Sequence, residues 1–352
     1  MFSCRLSRSI YYNIANITDY TIFPSRKIKN DSTDIFYFKH SFKNSFLHKI
    51  PDGVSFEKDL KNNKTVAFLV IHNDTIKYEK YFNKYKRESI VASFSMAKSF
   101  TSFLIGCAID DGYIQSVNDP VTRYIPELKE NSFHKVTIEN LLQMTSGLDF
   151  NESYFNPFGH AAKFYYGKNL EKSSLKLKLK NKPSESTAYM SGNTQLLGLV
   201  LHRVLKGKTI SKYLEEKLWR KIGMEFDTSW SLDKKEKGIE KTFCCLNARA
   251  IDFAKFGRLY LNKGNWNGKQ IVSESWVEKS IQRDTLNGSS GNYQYQWWIP
   301  NKKGDFIAKG VLGQYIFVSP SENLIVVRLG KKRGKMNWEK TFDQIKKIVK
   351  NE

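Results

Sequence analysis

The chemistry this chain could perform is concentrated in the run Ser95-Met96-Ala97-Lys98, where a serine is followed three residues later by a lysine. At the start of a helix, side chains at that spacing project from one face a turn apart, so the amine comes within reach of the hydroxyl. Serine is a weak nucleophile at its own pKa and needs a neighbouring base. A lysine held against Met96 and Phe100 loses part of its hydration, which lowers its pKa toward the working range. The helix N-terminus adds partial positive charge where an oxyanion would develop, and the Ser95 backbone N–H is one natural donor to it. Taken alone, the tetrapeptide fits a serine cap followed by a surface lysine better than it fits an active site, so its context has to decide.

Other chemistries find less support. His40, His48, His72, His134, His160 and His202 show no HxxxH or HxH spacing, and Cys4, Cys107, Cys244 and Cys245 show no metal-ligand spacing. The adjacent Cys244 and Cys245 are poorly placed for a disulfide with each other. No glycine-rich phosphate loop follows a strand and no GxSxG elbow occurs, so neither a metal nor a cofactor is expected. Lys and Arg number 57 against 35 acidic residues, a net charge of +22, but they are scattered along the chain. The densest cluster, Lys331, Lys332, Arg333 and Lys335, lacks the interleaved aromatics that single-stranded nucleic acid favours, and nucleic acid is not an expected partner. The longest apolar run, Phe103 to Ile109, is too short to span a bilayer. Met1 to Tyr20 does not have the form of a leader, which points to the cytoplasm, or to the cell envelope if the N-terminus is truncated.

The elements that must position Ser95 and Lys98 can be read from periodicity. Thr65 to His72 and Thr75 to Phe82 form a hairpin around Asn73-Asp74. Met96, Phe100, Phe103 and Cys107 recur at helical spacing, predicting a buried helix from Ser95 to Asp111 that Gly112 ends. Helices joined by loops follow, including Ile138 to Met144 and Gln195 to Leu205, with a short strand expected where leucine and lysine alternate from Leu175 to Lys180. Helical stretches at Ala248 to Leu261 and Ser273 to Gln282 precede strands at Tyr293 to Ile299, Asp305 to Val318 and Leu324 to Leu329. A last amphipathic helix covers Trp338 to Val349. Strands at both ends with helices between them imply an α/β (α+β) fold: a mainly antiparallel sheet flanked by helices, with a helical subdomain inserted at roughly 115–245. Residues 1–50 read as an N-terminal extension to a domain covering 51–352. An aromatic-rich stretch holding Tyr154, Phe155, Phe158, Phe164, Tyr165 and Tyr166 reads first as packing, with the lining of an acyl pocket as the alternative.

Six segments in a fixed order resemble the β-lactamase-related serine hydrolases, which include class C β-lactamases, D-amino-acid peptidases, esterases and 6-aminohexanoate-dimer hydrolases. They are SFSMAKSFTS (93–102), NDPVTRYIPEL (118–128), VTIENLLQMTSGL (136–148), AYMSGNTQLLG (188–198), ARAIDFAKFGRLYLNKGNWNGKQIVSESW (248–276) and GVLGQYIFVSP (310–320). The 188–198 and 310–320 segments are closest to the aminohexanoate-dimer branch. The resemblance implies a β-lactamase/transpeptidase-like fold, and it implies that Ser95 is the nucleophile and Lys98 its partner. It places the family's Tyr-x-Asn motif on Tyr189-Met190-Ser191, making Tyr189 the catalytic phenol, either a base with a lowered pKa or a proton relay.

Two departures from the family pattern bear on the substrate. Ser191 stands where an asparagine is usual, removing an amide able both to donate to and to accept from an acylamino group. The Lys-Thr-Gly motif falls on Ala308-Lys309-Gly310, so its lysine, the holder of a substrate carboxylate, is absent. Lys309, one position on, should face the other side of the strand. Gly310 would let substrate approach the backbone, unless Gly310 and Gly313 are bulge or turn glycines, and the Val311 N–H would be the second oxyanion donor. The expected substrate is a small ester or amide, bound in part through Ser191 and Gly310 and cleaved through an acyl-enzyme. A β-lactamase or D-amino-acid peptidase is the alternative among enzymes, and a catalytically silent scaffold is the alternative outside them.

Overall fold

Thr65–His72 is apolar at nearly every position, as expected of a strand covered on both faces, and its alternate side chains enter two separate cores. Ala67, Leu69 and Ile71 pack into the larger core with Phe100 and Phe103, while Phe68 and Val70 meet Phe56, Leu60, Trp338 and Phe342. In the computed structural model of the chain, which describes residues 15–41, 53–154 and 156–351, this strand lies inside an eight-stranded sheet. The order across the sheet is Tyr293–Gln294, Trp297–Trp298, Phe306–Gly310, Gln314–Ser319, Leu324–Gly330, Thr65–His72, Thr75–Tyr81 and Lys39–His40. Every pairing is antiparallel except the last, which is parallel. Asn73 and Asp74, at φ +50° and +55°, turn the hairpin as their chemistry suggests.

Helices cover both faces of the sheet. On the larger core's side lie Ala97–Asp110 and Ala250–Leu261, with Phe100 and Phe256 stacked at 3.7 Å between ring centroids. On the other side lies Trp338–Lys350, whose Phe342 ring stacks on Phe317. Twelve of the 14 residues of Ala97–Asp110 are buried. This helix also contacts Ser191–Val204, part of an inserted helical region that includes Ile138–Gln143, His160–Tyr166, Leu170–Ser174 and Ile210–Leu214. The α/β architecture expected from the sequence is therefore the one observed.

Several local expectations need correction. The nucleophile helix does not begin at Ser95: Phe94–Met96 is a 3-10 turn and the α-helix starts at Ala97. The Leu175 to Lys180 alternation buries Leu177 and exposes Lys176 and Lys178, but it makes only a single bridge, Leu148 to Leu179, and no strand. Part of the stretch read as an extension, within residues 15–41, pairs with strands of the domain. Ser25–Ile28 pairs with Thr228–Ser231 in a second, four-stranded sheet, and Lys39–His40 edges the large one. Cys244 and Cys245, judged poorly placed for each other, are joined by a disulfide. Their Cα atoms are 3.8 Å apart, below the usual span, and Cys245 takes φ +71° as the chain turns there. Cys4, His48, Phe155 and residues 1–14 of the stretch weighed as a leader lie outside the described residues.

Candidate functional site

Ser95 is delivered by a backbone that leaves the ordinary regions of φ/ψ space. Phe94, immediately before it, sits at φ +44°, an uncommon conformation for a bulky residue. Gly310 approaches the same turn. An ideal Cβ on Gly310 would lie 2.4 Å from the Ser93 carbonyl oxygen. The missing side chain thus lets the Phe306–Gly310 strand pass close to the serine turn. Gly313, at φ +80°, is the turn glycine of the loop that leads into Gln314–Ser319.

The side chain of Lys98, the second residue of the Ala97–Asp110 helix, is buried, and its Nζ lies 3.1 Å from Ser95 Oγ, 3.1 Å from Ser191 Oγ and 2.8 Å from the Phe243 carbonyl oxygen. These partners come from three distant stretches of chain. The Phe243 carbonyl is held in place by its neighbours. Thr242 N–H donates to Gln195 Oε1, the Thr101 hydroxyl donates to the Thr242 carbonyl, and Trp230 Nε1–H donates to the Lys241 and Cys244 carbonyls. Burial pulls the Lys98 ammonium down to about 8, against a smaller upward pull from Glu152.

Tyr189 stands beside this cluster, its ring centroid 5.1 Å from Lys98 Nζ. Its ring packs against Tyr293 and Trp298. Burial, followed by the nearby Glu152 charge, pushes the phenol above its ordinary value against a smaller downward pull from Ser95. The route to a lowered tyrosine pKa is therefore not the one this environment offers.

Ser191, the first residue of its helix, meets Glu152, a residue the sequence reading did not single out. The Ser191 hydroxyl donates to Glu152 Oε1 at 2.6 Å and its backbone N–H donates to Oε2 at 2.7 Å, while the Tyr154 hydroxyl donates to Oε1 at 2.7 Å. Glu152 sits in an irregular loop, so no periodicity could have pointed to it.

A cavity of about 170 Å³ opens onto this cluster, lined by Ser95, Ser191 and Val311 and otherwise mainly by apolar and aromatic side chains. Tyr154, Tyr165 and Tyr166 all contribute, so part of the aromatic stretch does line a pocket. Phe164 instead packs in the core and Phe158 is exposed. Lys309 turns elsewhere: its Nζ pairs with Glu339 at 2.5 Å and lies over the Trp298 ring, while Ala308 is buried where a carboxylate-holding lysine would stand. Among the described residues, no group of three or more His, Cys, Asp or Glu could hold a metal ion, and no helix is long and apolar enough to cross a membrane.

Comparison with known proteins shows the family and the fold. Residues 56–350 match a family model described as Beta-lactamase. A 6-aminohexanoate-dimer hydrolase of Paenarthrobacter ureafaciens is 25% identical over 307 residues, covering 80% of this chain and 75% of that protein. Among solved structures, a Bacillus anthracis protein provisionally assigned as a 6-aminohexanoate-dimer hydrolase superposes with a TM-score of 0.83 at 27% identity, covering 97% of this chain and 94% of that one. A family VIII carboxylesterase superposes with a TM-score of 0.67 at 14% identity, covering 89% and 98%, a likeness of fold alone.

Proposed function

The chain belongs to the beta-lactamase family of serine-hydrolase-type enzymes, and from that premise we propose that it cleaves an ester or linear amide through an acyl-enzyme on Ser95. The observation that carries this reading is the 3.1 Å approach of a buried lysine amine to the Ser95 hydroxyl. An ammonium brought down to about 8 is partly neutral near physiological pH, and a neutral amine can accept the serine proton.

In acylation, Ser95 Oγ bonds to the carbonyl carbon while its proton passes to Lys98 Nζ. The tetrahedral oxyanion is held by the N–H groups of Ser95 and Val311, both of which line the cavity. Collapse breaks the bond to the leaving alcohol or amine. Tyr189, kept as a phenol, suits the relay of a proton from Lys98 to that leaving group, because it can donate one proton while accepting another. Water then attacks the acyl-enzyme and gives its proton to the same base, which returns it to Ser95 Oγ as the bond to the acyl carbon breaks and the acid leaves.

Two features favour a linear ester or amide over a penicillin. Ser191 offers a hydroxyl in place of a carboxamide, and the strand beside the site presents Ala308 in place of a cation. The named activity of the Paenarthrobacter relative, 6-aminohexanoate-dimer hydrolysis, points the same way. The deciding experiment compares wild type with Ser95→Ala for turnover of a p-nitrophenyl ester and for the mass added to the Ser95 peptide by a fluorophosphonate probe. Loss of both in the variant is expected, and undiminished turnover would remove the proposal.

A further inference from the structure

Glu152 accepts both hydrogens that Ser191 can give, one from the hydroxyl and one from the backbone amide. A hydroxyl has a single proton, so a Ser191 committed to Glu152 can meet Lys98 only as an acceptor. The Phe243 carbonyl is an acceptor by nature. A neutral lysine amine has two N–H bonds and one lone pair. With Ser191 Oγ and the Phe243 oxygen taking the two hydrogens at 3.1 and 2.8 Å, the lone pair is left for the remaining neighbour, Ser95 Oγ.

We propose that Glu152 is a positioning residue that, by fixing the direction of the Ser191 hydroxyl, aims the Lys98 lone pair at Ser95. The inference rests on the acyl-enzyme reading above and adds to it the residue that sets the sense of the proton path. Without the carboxylate, the Ser191 proton is free to point at Lys98. The amine must then spend its lone pair on Ser191 and can no longer accept from the nucleophile. The Tyr154 hydroxyl, 2.7 Å from Oε1, holds the carboxylate from its outer side.

A second consequence is electrostatic. The titratable groups around Lys98 are Glu152 and Tyr154 from the loop, Tyr189 just before the Ser191–Val204 helix, and Tyr293 behind Tyr189. The 241–245 segment and the 310–312 turn bring no ionised side chain to the cavity, the two cysteines being disulfide-bonded. Glu152 is thus the anion that raises Lys98 against its desolvation, and its removal moves the lysine titration to lower pH.

The test is a double-mutant cycle of Glu152→Gln and Ser191→Ala on p-nitrophenyl acetate, with kcat and KM followed from pH 6 to 10. Glu152→Gln is expected to lower kcat ~10- to 100-fold with KM within about threefold, the size of losing one directed, charge-assisted hydrogen bond in the reacting state. The acidic limb of kcat/KM should shift to lower pH, a change that a purely structural role would not produce. In the Ser191→Ala background, Glu152→Gln should change kcat on the alkaline plateau by no more than about twofold, because there the residue acts through Ser191. Wild-type kcat and an unmoved limb in Glu152→Gln, or losses that multiply in the double variant, would overturn the inference while leaving Ser95 chemistry intact. Failure of wild type to be labelled at Ser95 by a fluorophosphonate would remove the acyl-enzyme reading and this inference with it. Should Glu152→Gln fail to fold by circular dichroism, the same cycle run with Glu152→Asp, one methylene shorter and unable to reach both Ser191 groups, decides through kcat and the coupling to Ser191→Ala, the retained charge leaving the acidic limb in place.

Discussion

The Nζ of Lys98 lies 3.1 Å from the Oγ of Ser95, with the lysine buried and the serine facing the cavity. Burial has brought the amine down to about 8, and only its neutral form can take the serine proton. The kcat/KM for a p-nitrophenyl ester should therefore rise with pH through about 8 and level off above it. A steady-state profile from pH 6 to 9.5, corrected for spontaneous hydrolysis, checks this. A flat profile across that range would exclude Lys98 as the base.

The same depressed pKa makes a statement about folding. Lys98 titrates at about 8 in the native chain and near the ordinary lysine value of 10.5 when unfolded, so between those values the unfolded state binds more protons. Stability from this group therefore rises with pH through that window, and its cost is fully present below pH 8. Between pH 7.5 and 9.5, wild type should gain roughly 2 kcal/mol relative to Lys98→Met. Urea unfolding of both proteins at the two pH values measures the difference. Parallel pH dependence of the two would show that the amine is not desolvated as its burial implies.

How far the sequence reveals this site depends on the range of each interaction. Met96, Phe100, Phe103 and Cys107 announce a buried helix because packing imposes a period on the chain. Thr65 to His72 is legible instead as an unbroken apolar run, the mark of a strand covered on both faces. Gly310 stands out in the sequence but its partner does not, because the Ser93 carbonyl that fills the space comes from a turn more than 200 residues away in the chain. Glu152 was invisible for a related reason: it meets Ser191 from a loop, where no periodicity marks a functional side chain. The Leu175 to Lys180 alternation misled because burial alternates there without a partner strand to complete a ladder. The Cys244–Cys245 disulfide was missed because ordinary spacing rules presume a longer span between the Cα atoms.

Gly310 supplies a direct test of how tightly strand and serine turn are fitted. A Cβ there would sit 2.4 Å from the Ser93 oxygen and 3.1 Å from the Gln314 side chain, and the first neighbour is backbone that cannot swing away. Gly310→Ala should cost about 1–3 kcal/mol of stability, as overpacking does. It should also lower kcat by at least ~10-fold, because the turn that must give way carries Ser95. Thermal unfolding and ester kinetics on the same preparation check both. A variant with wild-type kcat would show that the turn tolerates the shift.

Arg328 connects the core of the sheet to the loop that carries Val311. The residue is fully buried, and its guanidinium donates to the carbonyls of Leu312, Gly313, Asn63 and Lys332 and to the Thr65 hydroxyl, while its face lies 4.3 Å from the Trp338 ring. No carboxylate pairs with it among these contacts, so its charge is solvated by backbone dipoles in a fixed fork that an ammonium cannot reproduce. Arg328→Lys retains the charge but cannot reach all these oxygens, and leaving several buried carbonyls unpaired should cost about 3–5 kcal/mol. Because two of those carbonyls belong to the turn after Gly310, the Val311 N–H should lose its fixed aim as well, and kcat should fall even at temperatures where the variant remains folded. Urea titration gives the first quantity and single-turnover acylation of Ser95 gives the second. A destabilised variant that acylates at the wild-type rate would confine Arg328 to a purely structural role.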